Sequence, residues 1–132
     1  MIRRLFTPGS ARAALQAVRG PAETVRSVWR SMEALGPPRV EFDRPVDRRY
    51  FVLARRLWFA LDAIDRVGVT VCDPRTGRLG FPASRAGRLV MLSWKVGEPD
   101  VGHWHEPPPE VERRRPLDED GPWDASGGEG GG

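Results

Sequence analysis

Apolar residues recur every three or four positions from Ala11 onward: Ala11, Leu15, Val18, Ala22, Val25, Trp29, Met32 and Leu35. That spacing traces one face of an α-helix. Thr7-Pro8 supplies its start, a capping hydroxyl followed by proline at the first helical position, where a missing N–H costs nothing. Gly20-Pro21 falls inside the run, and an interior proline removes a helix hydrogen bond. Because the apolar phase continues across it, the pattern predicts one long helix, kinked near Pro21 and ending at Gly36-Pro37-Pro38. A second helix is expected from near Pro45. Its seam is Val46, Tyr50, Leu53, Leu57, Ala60, Ile64 and Val67, and a second stripe of Phe51, Ala54, Trp58 and Leu61 lies beside it. With a short connection between them, the two helices are expected to form an antiparallel hairpin.

From Val67 the period changes to two. Val67, Val69 and Val71 alternate with Gly68, Thr70 and Cys72, which predicts a strand. Asp73–Gly77 is turn chemistry, Arg78–Phe81 a short return strand and Pro82–Gly87 a loop. Leu89–Val96 is the strongest strand, and Val101–His105 returns after a turn at Gly97–Asp100. The fold class is therefore α+β, a two-helix hairpin on a small antiparallel sheet. A turn of four residues pairs Trp94 with His103, Ser93 with Trp104 and Leu92 with His105. Both histidines then share the apolar face with Leu92 and Trp94, while Ser93 and Trp104 lie opposite.

Composition divides the chain. Residues 1–105 form the expected domain, and 106–132 read as a disordered tail rich in Pro, Gly and charge. The first part holds 18 basic against 10 acidic residues, a net of +8; the second holds 3 against 8, a net of −5. A basic body with an acidic tail suits an anionic partner, or a tail that folds back on the body. Leu117 and Trp123, set among Asp118, Glu119, Asp120 and Asp124, resemble apolar anchors of a docking segment. Cys72 is the only cysteine, so no intrachain disulfide forms and a reducing cytoplasm is the expected compartment. No signal peptide and no membrane-length apolar run is read.

The run TGRLGFPASRAGRLVMLSWKVGEPDVGHWHE, with RRRPL after it, resembles the C-terminal signature of a bacterial family known as domain of unknown function 2203. That family's pattern reads Gly-Leu-x-Asp-Phe-Pro, then Gly-Arg-x-x-x-Leu-Cys-Trp, Gly-Glu-Pro, Trp-His and Arg-x-Pro. Gly77, Phe81, Pro82, Gly87, Arg88, Leu92, Trp94, Gly97, Glu98, Pro99, Trp104, His105, Pro116 and Leu117 fit it. Phe6-Thr7 resembles the family's start. Gly80 stands where the family has Asp, and Ser93 where it has Cys. The resemblance implies a helical hairpin joined to a small sheet; it implies no activity.

His103-x-His105 has a spacing that can chelate a transition metal, with Glu98, Asp100, Glu106 and Cys72 as further donors. The plainer reading is a structural pair of histidines. Arg12, Arg19 and Arg26 stand seven apart along the first helix and can track a phosphate backbone, or can flank a helix seam and pair with Glu23, Glu33, Asp43 and Asp47. Trp29, Trp58 and Trp94 are expected in the core and Trp104 at the surface. There is no phosphate loop, nucleophile elbow or Cys-x-x-Cys. The favoured function is a non-catalytic interaction module with no cofactor, using Glu98, Trp104, Arg12, Arg19 and Arg26 as binding surface. Homodimerisation through the coiled-coil-like helical hairpin, or an unknown protein partner, goes with it. The alternatives are a small metal-dependent or redox enzyme built on His103 and His105, and sequence-neutral nucleic-acid binding.

Overall fold

The computed structural model describes residues 4–36, 48–107 and 113–125. Helix α1 runs unbroken over Pro8–Leu35. Its cap is a reciprocal box: the Thr7 hydroxyl accepts from the Ser10 N–H at 3.1 Å, and the Ser10 hydroxyl accepts from the Thr7 N–H at 2.8 Å. The expected seam is buried from Ala11 through Leu15, Val18 and Ala22 to Val25; beyond that Val28 takes the buried place, Trp29 and Met32 are half-buried and Leu35 is exposed. Helix α2 spans Arg48–Val67. The expected start near Pro45 and the Gly36–Pro38 stop lie in part outside the described residues. Val67 belongs to α2, not to a strand. Gly68 ends the helix in a left-handed conformation, its N–H donating to the Asp65 carbonyl and the Val69 N–H to the Ile64 carbonyl. The most extensive contact between elements is that of α1 with α2.

Five antiparallel strands follow in the order of the chain: β1 Thr70–Asp73, β2 Arg78–Arg85, β3 Arg88–Trp94, β4 His103–His105 and β5 Arg115–Pro116. The segment expected to be a loop after Phe81 continues β2 through Pro82. Proline is tolerated there because its nitrogen and carbonyl point to the outer side of β2, where the Pro82 carbonyl accepts from the Phe6 N–H. Leu79, Phe81, Ala83, Val90, Leu92, Trp94 and Trp104 cluster with the buried faces of α1 and α2 to make the core. Gly80, Pro82, Met91, Ser93, His103 and His105 alternate with them along the ladders and share the other face.

Two expectations are overturned here. The register of β3 with β4 is Met91↔His105, Leu92↔Trp104 and Ser93↔His103, one residue away from that of a four-residue turn. A shift of one residue exchanges the faces. Both histidines therefore lie with Ser93, and Trp104 lies in the core at 6 % exposure. The tail boundary moves too. Within the stretch read as disordered, Arg113–Ala125 adds β5 to the edge of β4 and bridges Trp123 to Arg85. Sparse anchors, not average composition, decide this. Leu117 and Trp123 pack against the core cluster.

Candidate functional site

The register shift originates in Glu98. Its main chain closes a turn, with the Glu98 N–H donating to the Lys95 carbonyl at 3.0 Å. Its carboxylate turns back to accept the Lys95 N–H at 2.8 Å, and its carbonyl accepts from the Trp94 indole at 2.9 Å. Gly97 takes the positive φ this needs, 102°. Glu98 is thus folded inward, not solvated at a hairpin tip.

Around it lies a polar cluster on the sheet face away from the helices. The Arg114 guanidinium donates to Glu98 through Nη1 at 3.1 Å and Nη2 at 2.5 Å, and its Nε donates to the Ser93 hydroxyl at 2.9 Å. His103 Nδ1 stands 3.4 Å from the same carboxylate. Burial pushes the Glu98 carboxyl up. The hydrogen bonds from Arg114 and the Lys95 N–H, with the charges of Arg114 and His103, outweigh that and hold it below its ordinary value of 4.5.

His105 is fully buried. Its Nδ1 lies 2.6 Å from the Glu106 carbonyl. A carbonyl only accepts, so Nδ1 carries the hydrogen and Nε2 the lone pair, buried without a hydrogen-bond partner. Burial lowers the imidazole below its ordinary 6.5; the Glu106 carbonyl pulls the other way, and Arg78 and Arg114 lower it further. The two histidines on this face differ: His105 Nδ1 bonds the backbone, while His103 Nδ1 lies near the Glu98 carboxylate without a hydrogen-bond partner. Among the described residues, no group of three or more His, Cys, Asp or Glu side chains is placed to hold a metal ion.

The positions where the chain departs from the family pattern meet here as well. Gly80 pairs with Ser93. A Cβ on Gly80 would come 2.7 Å from Met91 Cε and 2.8 Å from Cys72 Sγ, so those two side chains fill the space a residue there would need. Burial also pushes the Cys72 thiol up, with Arg78 opposing and Asp73 assisting, which disfavours the reactive thiolate.

Two of the α1 arginines reach the turn between β3 and β4. Arg12 Nε donates to the Val101 carbonyl at 3.3 Å, and its guanidinium pairs with Asp100 and Glu119. Arg19 donates to the Pro99 carbonyl at 3.0 Å and lies 5.4 Å over the Trp94 ring. Arg26 lines a cleft of about 410 Å³ with Glu23, Ser27, Arg30 and Val96. The expected partner Glu33 is taken by Arg75, and Asp43 and Asp47 lie outside the described residues. Trp58, expected in the core, is exposed. Arg114 was hidden from a sequence reading that assigned it to the tail, although it is the arginine two places before Pro116 in the Arg-x-Pro motif.

The pH dependence of stability follows from these directions. Unfolding returns His105 to about 6.5, where it takes up a proton the folded ring refuses. Its contribution is complete above pH 6.5 and is lost as pH falls from there through the folded value. Glu98 has the same sign lower down: its contribution is complete above 4.5 and is lost as pH falls through its depressed value. Urea unfolding from pH 7.5 to 3 is expected to show both losses. A His105→Phe chain is expected to lose the one that sets in below pH 6.5 and to keep the acid limb.

No curated protein and no solved structure matches the chain. The model of one family does, over residues 4–117, and its description is an uncharacterized conserved protein, DUF2203. The chain belongs to that family.

Proposed function

We propose that this member of the DUF2203 family is a non-catalytic interaction module of the cytoplasm that self-associates through the outer face of α2. One observation carries the reading. Phe51 is 64 % exposed, Trp58 61 %, Phe59 54 % and Val52 50 %, all on the side of α2 turned away from Ala60 and Ile64. A helix apolar on both faces has a second surface to bury. Taking about 200 Å² for a full aromatic side chain, these four residues offer roughly 400–500 Å². That is the apolar share of a standard interface of about 800 Å² per partner.

Charge favours a second copy as the occupant. Arg48, Arg49, Arg55 and Arg56 lie in the N-terminal half of α2, and Asp62, Asp65 and Arg66 in its C-terminal half, where Arg66 pairs with Asp62 at 2.7 Å. Two copies crossing antiparallel about a twofold axis keep the arginine-rich halves apart and set each against the other's half that carries two aspartates and one arginine. Trp58 and Phe59, in edge-to-face contact at 5.3 Å, then lie near the axis. The antiparallel hairpin of α1 and α2, with α1 bent where Pro21 has no N–H to donate, belongs to the same reading. The polar cluster at Glu98 is occupied by bonds within the chain, which favours a structural task for it. As a test, Trp58→Glu is expected to weaken self-association at least tenfold with an unchanged circular dichroism spectrum. An undiminished association constant in that chain overturns the proposal.

A further inference from the structure

A separate surface, at the tip of the β2–β3 hairpin, is already occupied by the chain's own C-terminal segment. Asp118 forms a two-pronged ion pair with Arg85, its oxygens 2.9 and 2.8 Å from the two terminal nitrogens. Arg85 Cζ lies 4.5 Å from the Trp104 ring centre and 4.7 Å from that of Trp123, and the two indoles meet edge to face at 5.9 Å. The backbone joins in. The Ala86 N–H donates to the Pro122 carbonyl at 2.8 Å and the Asp124 N–H to the Ser84 carbonyl at 2.9 Å. The Asp124 carboxylate accepts from the Ser84 hydroxyl at 2.5 Å and the Gly87 N–H at 2.8 Å.

These contacts have the composition of a peptide-recognition site: main-chain hydrogen bonds to a hairpin, an arginine fork for a carboxylate, and an aromatic seat for an indole. The bound segment is arranged for it. Gly121 passes so close that a Cβ there would lie 2.5 Å from Arg85 Nη1, and the Trp123 indole donates back to the Asp118 carbonyl at 2.7 Å. Asp118–Asp124 also lies beyond residue 117, where the family match ends. Beside the segment, Arg88 and Arg115 line an adjoining cleft of about 270 Å³ with Val90 and Glu106.

We infer that the Ser84–Gly87 tip, with Arg85 seated between Trp104 and the incoming indole, is a docking site for an acidic, tryptophan-bearing peptide of a partner protein, which this chain fills in cis with Asp118–Asp124. A tethered segment competes at an effective concentration in the millimolar range, so a partner binds weakly until the segment is released. The spacing fixes the ligand: an aspartate, four intervening residues, then Trp-Asp.

The experiment uses the full-length chain and a fluorescent peptide of residues 116–125, read by anisotropy. The Asp118→Ala, Trp123→Ala, Asp124→Ala triple variant is expected to bind the peptide at least tenfold tighter than the unmodified chain. Adding Arg85→Ala is expected to remove that gain, and a peptide with alanine in place of its tryptophan is expected not to bind. Equal affinity for the unmodified and released chains overturns the proposal, as does binding indifferent to Arg85. Should the triple variant lose its circular dichroism signal, the single Asp118→Asn chain carries the test, with a gain of about threefold expected and no gain overturning it.

Discussion

Replacing Trp94 by alanine is expected to lower the unfolding free energy by about 3–5 kcal/mol, the range for deleting a buried aromatic. Trp94 is the largest of the fully buried side chains. It packs in the core cluster with Leu79, its partner across the ladder. Its indole also fixes the turn that follows, by donating to the Glu98 carbonyl, and Arg19 covers its ring. For a domain whose total stability is about 5–15 kcal/mol, the loss approaches the threshold of folding. Urea denaturation followed by circular dichroism measures it. Trp94→Phe separates the two roles: it keeps most of the volume, gives up the hydrogen bond, and is expected to cost about 1–2 kcal/mol. A loss under about 1 kcal/mol for the alanine variant contradicts the placement of this residue.

Arg114→Ala is expected to cost about 2–4 kcal/mol, because it strands a partner. The Arg114 and Glu98 side chains are only 13 % and 16 % exposed, so solvent replaces little of what is lost. The Glu98 carboxylate would keep the Lys95 N–H but lose two charged hydrogen bonds, and the Ser93 hydroxyl would lose its donor. The cost should therefore shrink when both charges go. An Arg114→Met, Glu98→Gln double variant is expected to be more stable than Arg114→Ala alone, and thermal melts at pH 7 measure the difference. Equal losses would mean that the pair contributes only packing.

Much of the fold was legible because it depends on local rules. The α1 seam and its Thr7 cap follow from spacing and from one hydroxyl. The strongest strand follows from alternation, and the α+β class follows from the change of period at the end of α2. The failures share a cause, since each depends on a long-range partner. The Gly97–Asp100 turn looks like a four-residue loop until Glu98 is seen to bond Arg114, sixteen residues on, and Trp94. Pro82 reads as a loop residue until Phe6 supplies the donor on its edge. Trp58 reads as core by its spacing, yet nothing in the described chain covers it. Arg113–Ala125 reads as disordered by composition, while the residues that hold it, Arg85, Trp104 and Ser84, lie on β2 and β4.

The candidate site was legible only in part. His103, His105, Glu98 and Ser93 were all recognised, but their grouping depended on the parity of one turn. With the register corrected, they share a face with Cys72 and Met91, and Arg114 completes the group. Glu98, Arg114 and Ser93 satisfy one another within the chain, while His103 Nδ1 and His105 Nε2 are buried without a hydrogen-bond partner. Phe51, Val52, Trp58 and Phe59 of α2 are left exposed.

Sedimentation equilibrium of the unmodified full-length chain across a dilution series tests the self-association most directly. A reversible approach to twice 14.7 kDa with rising concentration is expected. A mass that stays at 14.7 kDa throughout, with Trp58 and Phe59 still open to solvent quenchers, would contradict it.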